Sequence, residues 1–167
     1  KLFYTFLVVL VGILAYHTYG IYDARSSLVN PPEAYVIGPD DADLIVTEFL
    51  DYACPYCQTM HPTLKEAMEQ DGNVQLAPRP LLSSNSDGSG AAYIFYAAGM
   101  NGKAEEAHNY LMTDGTNLTE ERLPEIAEVL GIEFEKFKED LNSAEPRDQI
   151  AENYKAFNTY GGTGTPT

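Results

Sequence analysis

A short apolar run that leads into two cysteines three positions apart constrains this chain more than any other feature. Leu44-Ile-Val-Thr-Glu-Phe-Leu50 is β-branched and apolar, the pattern of a strand buried on both faces. Cys54-Pro-Tyr-Cys57 follows, and a helical pattern then continues to about Gln70. The pair therefore falls where a strand feeds a helix. Unpaired N–H groups and the macrodipole at that point favour negative charge, so a thiolate at Cys54 is stabilised. Each unit by which its pKa falls is worth about 1.4 kcal/mol. Pro55 sits in the first helical turn, where it forfeits no hydrogen bond. Cys57 lies one turn on, within disulfide reach. The expectation is an exposed, nucleophilic Cys54 and a more buried Cys57 that resolves a mixed disulfide.

Two other uses of the pair compete with redox exchange. Cys54, Cys57 and His61 could ligate a metal, with His108 or a carboxylate as the fourth group. Zinc sites of that kind usually take a second close cysteine pair, and the chain has two cysteines in all. A purely structural disulfide is the other use, but so small a loop stabilises little. Redox exchange is the favoured reading, with no metal and no cofactor. His61 taken alone reads as an exposed or packed helix residue.

The rest of the chain alternates and then becomes helical. Ala34–Gly38 reads as a short edge strand, and Pro39–Asp43 as turn chemistry. Asn73–Pro78 reads as a second buried strand. Strand, helix and strand at this spacing imply a right-handed βαβ unit with a parallel pair. Ser83–Gly90 is a polar break. Beyond it, helices are expected over Ala91–Met100, Lys103–Met112, Glu120–Leu130, Phe134–Leu141 and Arg147–Tyr160. Thr119 is placed to cap the third of these, and Gly131 and Gly161 are placed to end helices. The Asn117-Leu-Thr119 glycosylation sequon is read as a chance match.

Charge divides the chain sharply. After Lys1, positions 2–22 carry no charged residue, whereas the remainder holds 25 acidic and 9 basic side chains. As a helix those 21 residues span about 31 Å, one hydrocarbon core. Tyr16, Tyr19 and Tyr22 gather at the far end, as an interfacial aromatic belt does. Ala15-Tyr-His17 and Thr18-Tyr-Gly20 are poor cleavage sites, so an uncleaved anchor is favoured over a cleaved signal. Lys1 points to a cytoplasmic N-terminus. The chain does not begin with Met, so residues before Lys1 are expected. A formal charge of −15 argues against binding a phosphate backbone, so nucleic acid is not an expected partner.

The segment Val46-Thr-Glu-Phe-Leu-Asp-Tyr-Ala-Cys-Pro-Tyr-Cys57 resembles the active-site strand and helix of DsbA-like thiol–disulfide oxidoreductases. Arg79-Pro-Leu-Leu82, Ala91-Ala92, Asn101-Gly-Lys103 and Gly164-Thr-Pro-Thr167 extend the resemblance over about residues 34–167. It implies an α/β protein: a thioredoxin fold interrupted by a helical insertion and preceded by a transmembrane helix. The expected division is an anchor over 1–22, a tether over 23–33, a first thioredoxin-like half over 34–82, a helical insertion over 83–146 and a return over 147–167.

The resemblance also assigns roles. Cys54 and Cys57 match the redox pair, and Pro55 and Tyr56 the dipeptide that tunes it. Pro166 matches the cis-proline that faces the disulfide, with Thr165 before it, and that backbone pairs with substrate peptide. Glu48 matches a buried acid beneath the site, where a raised pKa suits proton exchange with Cys57. The competing reading of Glu48 is a partly exposed strand residue. The family continues past the cis-proline with a hairpin and a helix, whereas this chain stops at Thr167, and the rest is expected to follow it. The expected function is a membrane-anchored oxidoreductase on the extracytoplasmic side of a bacterial inner membrane. Its partners would be cysteine-containing proteins, the membrane through residues 2–22, and a membrane redox partner. The alternative is an accessory subunit of a membrane complex that uses the domain for docking.

Overall fold

The computed structural model describes residues 2–82, 89–115 and 118–167. Most of the expected polar break (83–88) and Asn117 of the sequon lie outside the described residues. The first element is one long helix, α1 (Leu2–Val29). Its stretch Tyr4–Tyr22 is long and apolar enough to cross a membrane, and none of it is buried by the rest of the chain. Such a helix fits a single-pass anchor or a signal sequence. The expected tether at 23–33 differs from what is seen, because α1 continues through its first seven residues. No proline or glycine interrupts the chain between Tyr22 and Asn30, and Pro31-Pro32 then stops the helix. Leu28 in its last turn packs with Phe49, Leu81 and Ala156, and its carbonyl accepts a hydrogen bond from the Thr47 hydroxyl at 3.2 Å.

Strand β1 (Leu44–Leu50), helix α2 (Pro55–Asp71) and strand β2 (Val74–Pro80) form the expected unit, with β1 and β2 parallel in register from Leu44 against Val74 to Leu50 against Pro80. β1 is not buried throughout: Leu44 is 55% exposed, and only Phe49, Leu50 and the Glu48 side chain are fully enclosed.

The edge strand expected at Ala34–Gly38 is a 3₁₀ turn at Glu33–Tyr35 followed by a single antiparallel bridge, Ile37 to Leu76. The prolines of β2 account for this. Leu76 donates to the Ile37 carbonyl at 2.8 Å, so the N–H groups at 78 and 80 would face the same edge. Both positions are proline, and the ladder cannot continue. The opposite flank of β2 keeps its donors and pairs with β1.

The helical part comprises α3 (Ser89–Gly99), α4 (Ala104–Asp114), α5 (Leu123–Leu130), α6 (Phe134–Asn142) and α7 (Ala144–Thr159). Ala91, Ala92, Ile94, Phe95, Tyr96, Ala97 and Ala98 are all buried, so α3 is the central helix, apolar on every side. It ends at Gly99, a position where a Cβ would run into the Tyr35 ring. Gly131 closes α5 in the left-handed conformation, with φ of 68°, and Gly161 follows α7 with φ of 72°. Thr119 stands at the expected cap position but its side chain makes no capping bond.

A buried polar cluster locks α7 to the end of β2. The Asn153 amide donates to the Pro80 carbonyl at 2.8 Å and to the Tyr96 hydroxyl at 2.7 Å, while its oxygen accepts from Arg79 at 3.3 Å. All four side chains are buried, so this cluster has little freedom to rearrange without leaving a polar group unpaired.

Candidate active site

The turn between β1 and α2 is held by its own backbone and one carboxylate. Asp51 Oδ1 accepts from Ala53 N–H at 2.8 Å, and the Asp51 carbonyl accepts from Cys54 N–H at 2.9 Å. Gln58 reaches back from α2 and donates to the Tyr52 carbonyl at 2.8 Å. Asp51 and Gln58 were not expected from the sequence. An aspartate just before a helix start is the signal that could have identified the first, through its turn-forming hydrogen bond.

Cys54 is the N-cap of α2, with an extended backbone, and Pro55 is the first helical residue. The Cys54 thiol is partly exposed, whereas Cys57, one turn on, is fully enclosed. Both are free thiols. Pro55 and Tyr56 stand on the rim, and Tyr56 is 77% exposed.

Residues 165 and 166, distant in sequence, arrive at the same place. The Thr165–Pro166 peptide is cis. The Thr165 carbonyl lies 3.5 Å from Cys54 Sγ, which donates to it as a thiol. Two hydrogen bonds hold this segment beside β1: Phe49 N–H to the Thr167 carbonyl at 2.7 Å, and Thr167 N–H to the Phe49 carbonyl at 3.0 Å.

These surroundings drive the two thiols apart. Partial burial works against ionising Cys54, but hydrogen bonds from the Thr165 side chain, from Cys57 and from the Tyr56 backbone outweigh it and lower its pKa. Burial pushes Cys57 up to about 12, helped by the neighbouring Cys54 and opposed by hydrogen bonding from the Asp51 backbone. The surroundings thus favour ionisation of Cys54 and oppose that of Cys57.

Glu48 is 4% exposed, so it is not the partly exposed strand residue of the competing reading. Its register partner on β2 is Pro78, and its Oε1 has no hydrogen-bond partner among the described residues. Burial raises this carboxyl to about 7.

The histidines of the metal alternative are engaged elsewhere. His61 Nε2 lies 3.2 Å from Asn109 Oδ1, and His108 Nδ1 lies 3.1 Å from the Tyr52 hydroxyl. Among the described residues no group of three or more His, Cys, Asp or Glu is placed to hold a metal ion.

Comparison with known proteins agrees with this geometry. The chain spans 22% of the length of the Na(+)/H(+) antiporter NhaA 1 of Salinispora arenicola, to which it is 30% identical over 141 residues, 83% of its own length. It is 27% identical over 168 residues to the probable disulfide bond formation protein D of Bacillus anthracis, covering 87% of this chain and 75% of that one. The crystal structure of a thioredoxin-like oxidoreductase from Silicibacter pomeroyi superposes with a TM-score of 0.74 at 34% identity, over 85% of this chain and 82% of that one. The profile of the DSBA-like thioredoxin domain matches residues 45–167, which take in both cysteines and the cis-proline. With that match on a parallel β-α-β unit, a helical insertion and a Cys54–Thr165 contact, the chain belongs to the DSBA-like thioredoxin domain family of thiol–disulfide oxidoreductases.

Proposed function

We propose that this protein is a membrane-anchored thiol–disulfide oxidoreductase that acts on the cysteines of extracytoplasmic proteins through Cys54-Pro55-Tyr56-Cys57. The contrast between the two thiols carries the reading: Cys54 is accessible with a lowered pKa, and Cys57 is sealed and raised. The Cys54 thiolate attacks one sulfur of a substrate disulfide. That S–S bond breaks, a Cys54–substrate bond forms, and the departing sulfur takes a proton. Cys57 then attacks Cys54 Sγ, releases the substrate's second sulfur and closes the Cys54–Cys57 disulfide. The substrate gains two electrons and the pair loses two; run backwards, the same steps oxidise a substrate dithiol. Glu48, with a pKa about 7, takes the proton that Cys57 gives up and returns it in the reverse direction. Substrate peptide lies along the Thr165–Pro166 backbone, with Pro55 and Tyr56 forming the wall of the contact.

The apolar stretch Tyr4–Tyr22 supports attachment to the inner membrane, with Lys1 on the cytoplasmic side and the domain outside. A second reading, an accessory subunit of a membrane complex, is supported by the antiporter relatives, in which a similar segment makes up 22% of a longer protein. Assaying insulin reduction and oxidative refolding with the full chain and its Cys54→Ser variant tests the first reading. Loss of both activities in the variant is expected, and unchanged activity would sink the proposal. Purification from native membranes without crosslinker tests the second, which a purely monomeric species counts against.

A further inference from the structure

Helix α1 has no joint where its apolar stretch ends. It keeps its helical form from Tyr22 to Val29, and at Leu28 it is already fixed to the domain. Leu28 packs with Phe49, Leu81 and Ala156, and its carbonyl accepts from the Thr47 hydroxyl. The helix rises only about 9 Å between Tyr22 and Leu28. A slack segment over residues 23–33 would reach about 37 Å. The domain therefore stands close to the end of the apolar stretch, on a stiff support.

Helix α7 flanks the same stretch. Lys155 and Thr159 of α7 line a cleft of about 320 Å³ together with Tyr16, His17, Tyr19 and Ile21 of α1. Two measures place the edge of the hydrocarbon beside those α1 residues. A core about 30 Å deep, counted from Leu2 after the charge of Lys1, ends near Tyr22. The tyrosine belt begins at Tyr16, and Tyr16, Tyr19 and Tyr22 are all exposed. Wherever the edge falls between Tyr16 and Tyr22, the last turn of α7 lies within the adjoining headgroup layer, roughly 5–8 Å thick. Asn158, Thr159 and Tyr160 at that end of α7 are exposed and polar or amphipathic, as that layer requires.

Charge marks the same surface independently. Every acidic residue except Asp23 lies between Glu33 and Glu152, so positions 153–167 carry none. Lys155 is the single charged residue among them, and Arg25 is exposed on α1 just past the tyrosine belt. A surface of anionic headgroups repels the acidic remainder of the domain and attracts lysine and arginine held near it. We propose that the last turn of α7, with the flanking face of α1, is a lipid-seating surface that rests the domain on the headgroups of the membrane in which α1 is anchored. This inference rests on the proposed anchoring of α1. Residues 161–167 run from the seated turn to the cis-proline, and Thr167 pairs with Phe49 of β1, so seating holds the cysteine site at a set height and orientation over the lipid.

The chain has no tryptophan, so a single introduced one reports alone. Full-length Tyr160→Trp, Leu10→Trp and Val129→Trp variants are placed in nanodiscs of phosphatidylcholine and phosphatidylglycerol, and tryptophan emission is followed. Phosphatidylcholine with a nitroxide on its headgroup is expected to remove most of the emission of Tyr160→Trp. It should leave that of Val129→Trp, on an exposed position of α5, unchanged. Phosphatidylcholine brominated on its acyl chains is expected to quench Leu10→Trp, which tests the anchor by itself. Thr159→Trp takes the place of Tyr160→Trp if that variant does not fold. Quenching of Leu10→Trp without headgroup quenching at 160 or 159 would overturn the seating and leave the anchor standing. Equal headgroup quenching of Val129→Trp and Tyr160→Trp would overturn it too, because the domain would then turn no particular face to the lipid. A Leu10→Trp variant that bromine does not quench would remove the anchor, and the seating with it.

Discussion

Replacing Glu48 by glutamine removes a buried charge while keeping the size of the side chain, and the consequence can be worked out from its surroundings. The carboxyl is 4% exposed, and burial raises it from 4.5 to about 7. At about 1.4 kcal/mol per pH unit, ionising it in the folded protein costs about 3 kcal/mol more than in the unfolded chain. Between those two values the native state keeps a proton that the unfolded chain has released. Stability therefore falls as pH rises across that window, is free of the penalty below it, and carries the whole penalty above it. Glutamine does not titrate, and all other groups are shared by the two proteins. Across the window the stability of Glu48→Gln relative to the native sequence should accordingly rise by about 3 kcal/mol. The assay is urea unfolding of the full chain in lipid nanodiscs at a series of pH values, followed by tyrosine fluorescence. Two stability–pH curves that stay parallel across the window would refute the burial argument. The same variant should slow the step in which Cys57 attacks.

Other consequences follow from neighbouring residues. At neutral pH, iodoacetamide should modify Cys54 alone in the reduced native protein, because Cys57 is enclosed and raised to about 12; mass spectrometry of the tryptic peptides reads this. Asp51→Ala removes the 2.8 Å bond to Ala53 N–H, should cost about 1 kcal/mol in urea unfolding, and should slow insulin reduction by loosening the turn that carries Cys54. Asn153→Ala removes the amide that serves Pro80 and Tyr96 in a buried cluster and should cost about 2–4 kcal/mol, read as a lower urea midpoint at unchanged slope.

Some of this molecule can be read along the chain and some only across it. β1, α2 and β2 are legible because a β-branched run, a cysteine pair after a strand and a proline at the first helical position are local signals. Gly131 is legible for the same reason, since a left-handed helix end is a property of one residue. Thr165 is not: 111 positions separate it from Cys54, and nothing local to Gly164-Thr-Pro166 says which helix it will meet. Only resemblance to a family placed it at the site. The single bridge at Ile37 was missed because the apolar run at 34–38 looks like a strand, while the prolines that deny it a partner lie in β2. The helical residues 23–29 are not legible from the Asn30-Pro31-Pro32 breaker, which marks where the helix stops and not what precedes it. Glu48 can be ranked as a candidate, but its enclosure and its place opposite Pro78 exist only in the fold. The Tyr52–His108–His61 contacts and the Asn153 cluster join elements far apart in sequence, and no periodicity reports them.

The reduction potential of the Cys54–Cys57 couple tests the redox proposal most directly. The full chain is equilibrated in glutathione buffers of graded ratio, and the fraction oxidised is read by alkylation and mass. A lowered Cys54 pKa stabilises the reduced form, so the account predicts a reversible two-electron transition at a potential above about −300 mV, the upper bound for most structural disulfides. A pair that stays reduced at every ratio, or a disulfide whose potential lies below that bound, would contradict it.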